Sequence, residues 1–164
     1  MLQSVAASRG DAAAEERVYE RLLELDPKGA WTRGNYAGFL IRRQQYDRAI
    51  EMAQAALKIM DYGVAHQTLA DAYSEEGAEA LWASASAPDL AKTAFDSAVA
   101  ADPSYAHAHY GLGAYFRKLA LERHEKGLLA RSSDEFEKAA KFDKDPSLAK
   151  AARDENERLA SRVH

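Results

Sequence analysis

The chain has 164 residues, 47% hydrophobic and 29% charged, with no cysteine. That length and balance suit one domain with a real core, and the missing thiols exclude disulfides, thiolate zinc sites and cysteine nucleophiles. The net charge of −4 lacks the basic surplus that phosphate attraction needs, and no apolar run nears the ~20 residues that span a bilayer, so neither a nucleic-acid partner nor membrane insertion is expected.

The opening MLQSVAASRGD lacks the basic-then-apolar order of a secretory leader, so a cytoplasmic location is expected; a fragment of an exported protein would read the same way. Apolar residues recur at spacings of three and four throughout, and no stretch alternates cleanly over a strand's length, which predicts an all-helical chain. Leu2 stands where a core residue of a first helix belongs, and Gly10–Asp11 where a turn belongs. DAAAEERVYERLLEL follows as a second helix, with Tyr19 as its large residue, closed by Asp26–Pro27. Residues 1–29 thus read as a partial hairpin, with Met1 either a degenerate cap or the edge of a longer array.

Asn35 to Leu57 reads as two helices broken at Arg43–Gln45, and its bulky Tyr36, Leu40 and Tyr46 alternate with Ala37, Ala49 and Ala56. The same order returns downstream. Leu69, Ala70 and Tyr73 repeat it, as do Leu112, Gly113 and Phe116. The second helix recurs over Asp89–Pro103, with Ala91 and Ala98, and over Ala130–Pro146, with Ser132 and Ala139. Two antiparallel helices cross tightly only where one face lacks bulk, and the large residues then fill the space between hairpins. The units span 30–63, 64–105 and 106–146, and SLAKAARDENERLASRV, within 147–164, reads as a closing helix with Leu148, Ala152 and Leu159 on one face.

This pattern resembles the tetratricopeptide-repeat (TPR) family, whose helix-turn-helix units of about 34 residues carry the same small and large positions and a closing Asp-Pro. The resemblance rests on Tyr46, Ala49, Ala56, Leu57, Leu69, Ala70, Tyr73, Phe95, Ala98, Asp102–Pro103, Leu112, Gly113, Phe116, Phe136 and Ala139. It implies one TPR domain, a right-handed superhelical solenoid of antiparallel hairpins. Two departures stand out. The second unit carries about nine extra residues around Ala78–Ser86 and the third about seven around Leu119–Gly127, measured against a 34-residue repeat. Leu81, Trp82 and Ala85 are expected to pack near Leu119 and the stem of Arg123. The first unit ends at Met60–Asp61 rather than Asp-Pro.

In that family the first helix of each unit lines a concave groove. The resemblance therefore places Trp31, Gly34, Gly38 and Arg42 there, then Val64, Gln67, Asp71 and Glu75, then His107, Tyr110, Ala114, Arg117 and Lys118. Trp31 and Tyr110 would give flat contact area, Gly34 and Gly38 room for a partner, and Arg42, Arg117 and Lys118 a hold on a carboxylate. The alternative is that these are ordinary solvated surface. The chaperone-binding carboxylate clamp is missing, because its places hold Gly34, Gly38, Gln67, Thr68 and Gly111. Leu81 and Trp82 form a possible second surface, where Trp82 either packs on the neighbouring long helix or anchors a partner.

No catalytic constellation emerges. His107 and His109 lie two apart and point in different directions on a helix, and the paired carboxylates at Glu75–Glu76, Asp134–Glu135 and Asp154–Glu155 read as solvated faces. The expectation is a non-enzymatic scaffold or adaptor without cofactor or metal, binding a peptide or helix of a partner protein. The alternatives are a regulatory or substrate-recruiting domain of a longer enzyme, and a self-associating module that forms homo-oligomers. The packing argument makes a direct prediction: leucine at Ala49 overpacks the crossing and lowers unfolding free energy by about 1–3 kcal/mol, read from the urea midpoint.

Overall fold

Aspartates punctuate the chain. Asp26 accepts the N–H of Lys28 at 3.1 Å, Asp102 that of Ser104 at 2.9 Å, Asp143 that of Asp145 at 3.0 Å and Asp145 that of Ser147 at 3.1 Å. Each bond folds the side chain onto the backbone two residues on; those of Asp26, Asp102 and Asp143 stand just past a helix end, where they compete with helix, and that of Asp145 leads into the next helix. Three of the four, Asp26, Asp102 and Asp145, are the aspartates of the recurring Asp-Pro.

The computed structural model describes residues 12–83 and 88–160, and Leu2, Gly10–Asp11 and Ala85 lie outside them. Eight α-helices and no strand occur among the described residues: α1 (Ala12–Leu25), α2 (Ala30–Arg42), α3 (Tyr46–Ile59), α4 (Gly63–Trp82), α5 (Pro88–Ala101), α6 (Ala106–Arg123), α7 (Lys126–Phe142) and α8 (Ser147–Ala160). None of these helices is long and apolar enough to cross a membrane. The chain divides into two compact units, with the boundary between Ala72 and Tyr73 inside α4.

The first unit holds α1, α2, α3 and the start of α4. Tyr19 and Tyr36 stack with centroids 5.0 Å apart. The Tyr36 hydroxyl donates to Glu16 at 3.0 Å and accepts from Arg48 at 2.7 Å, while Arg48 pairs with Glu16 at 2.8 Å. Burial, and then the bond to Glu16, push the Tyr36 phenol up to about 12, so it stays protonated.

The second unit holds the rest of α4 with α5 to α8. Leu81, Ala91, Phe95, Leu112, Tyr115, Phe116 and Leu119 form an apolar cluster in it, so Leu81 and Leu119 share one cluster. Trp82 and Arg123 do not join them and face solvent. The lengthened helices are real, since α4 has 20 residues and α6 has 18, against 13 in α2. His109 is buried, with Nδ1 2.7 Å from Glu135 and Nε2 3.0 Å from the Pro103 carbonyl. Both ring nitrogens face acceptors, which favours the doubly protonated imidazole, and the Glu135 bond raises its pKa above the usual histidine value.

Every small position of the repeat is buried, in both units: Ala37, Ala49, Ala56, Ala70, Ala91, Ala98, Gly113, Ser132 and Ala139. The rings of the repeat fill what the small residues leave. A Cβ on Gly111 would strike the Phe95 ring, and one on Gly113 would lie 2.5 Å from Phe136.

Two hairpin turns share one device. Gln45 N–H donates to the Leu40 carbonyl at 3.0 Å, and Glu125 N–H to that of Ala120 at 3.1 Å. Each bond spans five residues and needs a left-handed residue before it, supplied by Gln44 (φ 58°) and His124 (φ 57°). A side chain there is strained, and glycine is not. Gln44→Gly and His124→Gly are each expected to raise unfolding free energy by about 0.5–1 kcal/mol, as a higher urea midpoint at unchanged slope.

Candidate functional site

In the second unit, one face of α4 and one face of α6 border an apolar slot of about 520 Å³. From α4 come Ser74, Ala78, Leu81 and Trp82, at the spacing that aligns side chains along one helix face. From α6 come Tyr110, Gly111, Ala114, Lys118 and Leu121, with His107 at the start. The rings of Phe95 and Phe136 contribute from the second helices, and Tyr110 lies 5.2 Å from Phe136. The middle is wide because Ala78 and Ala114 are small, while the space beside Gly111 is taken by the Phe95 ring. Trp82 and Leu121 remain 67% and 43% exposed.

The slot unites two surfaces that the sequence presents as separate. His107, Tyr110, Ala114, Arg117 and Lys118 border it together with Leu81 and Trp82. The two tip residues differ in role, since Leu81 is buried in the wall and Trp82 is exposed. Lys118 donates from Nζ to the Leu81 carbonyl at 2.8 Å and stands 5.6 Å from the Trp82 ring centre. It thereby satisfies a carbonyl in the last turn of α4, where a cation also suits the helix dipole.

Arg117 is not the open carboxylate holder that the resemblance implies. Its guanidinium donates from Nε to Asn156 Oδ1 at 2.6 Å and also to the Ala152 carbonyl, and it stacks 4.8 Å from the Phe136 ring centre. Burial pulls its pKa below the usual arginine value. Asn156, 1% exposed, donates onward to Ser132 Oγ at 2.7 Å, and Ser132 donates to the Gly113 carbonyl at 2.6 Å. This chain of bonds docks α8 on the last hairpin. It adds to the expected apolar face, of which Ala152 is buried and Leu159 packs on the Ala120–Leu129 cluster, while Leu148 is 64% exposed; Ala149, Ala152 and Asn156 are the buried residues of α8.

Glu75 also borders the slot, and the remaining expected residues lie in the first unit. Trp31 is 57% exposed and its ring sits 4.3 Å from that of Tyr62. The Tyr62 hydroxyl donates to the Ala30 carbonyl at 3.2 Å and fills the space beside Gly34, which is therefore taken from within. Gly38 opens toward Arg42, which donates to the Gly38 carbonyl at 3.1 Å and lies 3.6 Å from Glu15. Gln67 is exposed and Asp71 half-buried.

Ser74 and Asn156 escaped the sequence reading. For Ser74 a signal exists: in the repeat register it stands where the other units hold Ile41 and Arg117, a small residue among large ones. Asn156 gave none, because one polar residue in a charged helix looks like surface.

No family model matches the chain, and no curated protein matches it. Solved structures do. Two crystal structures of MamA align at TM-score 0.57, with 20% and 19% identity, over 99% of this chain and 92% and 86% of theirs. TTC0263, a thermophilic TPR protein in Thermus thermophilus, aligns at TM-score 0.53 with 18% identity, over 98% of this chain and 80% of that one. The chain has the all-α tetratricopeptide-repeat fold.

The docking network yields a prediction. Asn156→Ala leaves Arg117 Nε and Ser132 with lost partners, and is expected to cost about 2–3 kcal/mol in urea unfolding, more than a surface substitution on the same helix.

Proposed function

We propose that the chain is a protein-interaction module, without chemistry of its own, that holds a peptide or helix of a partner in the slot between α4 and α6. The observation that supports this best is the slot itself: about 520 Å³, largely apolar, with an exposed tryptophan and leucine beside it. Leu81, Phe95 and Phe136 are buried and already packed, so the protein side has little order left to lose on binding. Tyr110, Ala114, Trp82 and Leu121 supply the contact, and His107 and Lys118 supply polarity at its edges. Arg117 acts behind the wall through α8. Affinity on the order of micromolar suits so short a groove.

The test is an affinity pull-down from the source cell's lysate with wild type, Ala114→Arg and Gly38→Arg, all checked for equal helicity. Arginine at 114 fills the slot; arginine at 38 alters the first unit. The expected result is a partner kept by wild type and Gly38→Arg and lost by Ala114→Arg. A partner retained by Ala114→Arg would overturn the slot as the binding surface.

A further inference from the structure

Ser74 is 4% exposed, and its Oγ has no hydrogen-bond partner among the described residues. A buried hydroxyl without a partner destabilises the chain that carries it, so it requires an explanation. Other hydroxyls in the same unit take an outlet that Ser74 does not use. Thr93 and Ser97 donate to the carbonyl four residues back, at 2.8 and 2.9 Å, and Ser132 donates across to Gly113.

Ser74 borders the slot. Along α4, one and two turns on, come Ala78 and Leu81; across from them are Gly111 and Ala114. Ala78 and Ala114 leave room for one bulky side chain, the space at Gly111 being filled by Phe95, and Phe95, Tyr110 and Phe136 give it aromatic surroundings. Opposite charges mark the two ends. Glu75 is exposed next to Ser74, and Lys118 stands beside Trp82, eight residues and about 12 Å further along α4.

Resting on the slot as the binding surface, we propose that it recognises an aromatic side chain with a polar tip, tyrosine above all, carried on a partner segment with an acidic residue toward Lys118 and a basic one toward Glu75. The ring fills the apolar middle, and Ser74 Oγ, enclosed in the free chain, turns about χ1 to meet the ring's hydroxyl, to which it can both donate and accept. Phenylalanine fills the same space and leaves Ser74 unpaired. The charges at the two ends set the direction in which the segment lies.

The test starts from a random peptide phage library panned on the full chain and counter-selected against Ala114→Arg. Selected peptides are expected to centre on tyrosine, with acidic and basic residues on opposite sides. A synthetic peptide of that sequence is then compared with its Tyr→Phe version by fluorescence anisotropy. Wild type is expected to prefer tyrosine by about 3- to 10-fold. Ser74→Ala removes that preference by lowering the tyrosine peptide to the level of the phenylalanine one, and melts no lower than wild type. Peptides with aliphatic anchors, sensitive to Ala114→Arg but indifferent to Ser74→Ala, would overturn this inference and leave the slot standing. A Ser74→Ala variant that melts well below wild type would also overturn it, because the hydroxyl would then be bonded inside the fold. The absence of any peptide sensitive to Ala114→Arg would overturn both readings.

Discussion

Two helices can approach only as closely as the largest side chain between them allows, and this chain depends on that limit. Alanine, glycine or serine stands at every crossing, and each is buried. The rings then have one place to go. Phe95 lies against Gly111, and Phe136 against Gly113, where no Cβ would fit. The slot between α4 and α6 follows from the same rule, because those rings belong to its lining. Enlarging a small residue at a crossing therefore disturbs stability and the slot together.

Local pattern carried most of the fold. The break at Arg43–Gln45 falls between α2 and α3, and the repeat spacing located the small positions in both units. Both signals depend on residues a few places apart, which is the range over which helical periodicity speaks. What was illegible depends on partners far along the chain. Arg117 looked open until Asn156, 39 residues on, took its Nε. Gly34 looked like room for a partner until Tyr62 occupied it. Leu148 looked like core and Asn156 like surface, and a polar network reversed them.

The site was legible in the same uneven way. The resemblance named five α6 residues that border the slot, and the sequence singled out Leu81 and Trp82 as a separate surface. Helix spacing joins them: Trp82 is eight residues beyond Ser74 and shares its face of α4. Ser74 itself stayed hidden because an unmet hydrogen bond is a property of three-dimensional surroundings, and no residue type announces it.

The lengths of α2 and α4 differ by seven residues, 13 against 20. Two turns of helix take about 7.2 residues, so a helix lengthened by that amount resumes nearly the same angular phase. Ala78, Leu81 and Trp82 lie in this added stretch. The hairpin tip has thus grown outward like extra courses on a wall, without rotating the contacts below. A solenoid built this way can acquire a new recognition surface by insertion at a turn, leaving its packing residues untouched. In such a protein, unit length is itself a variable on which specificity can be written.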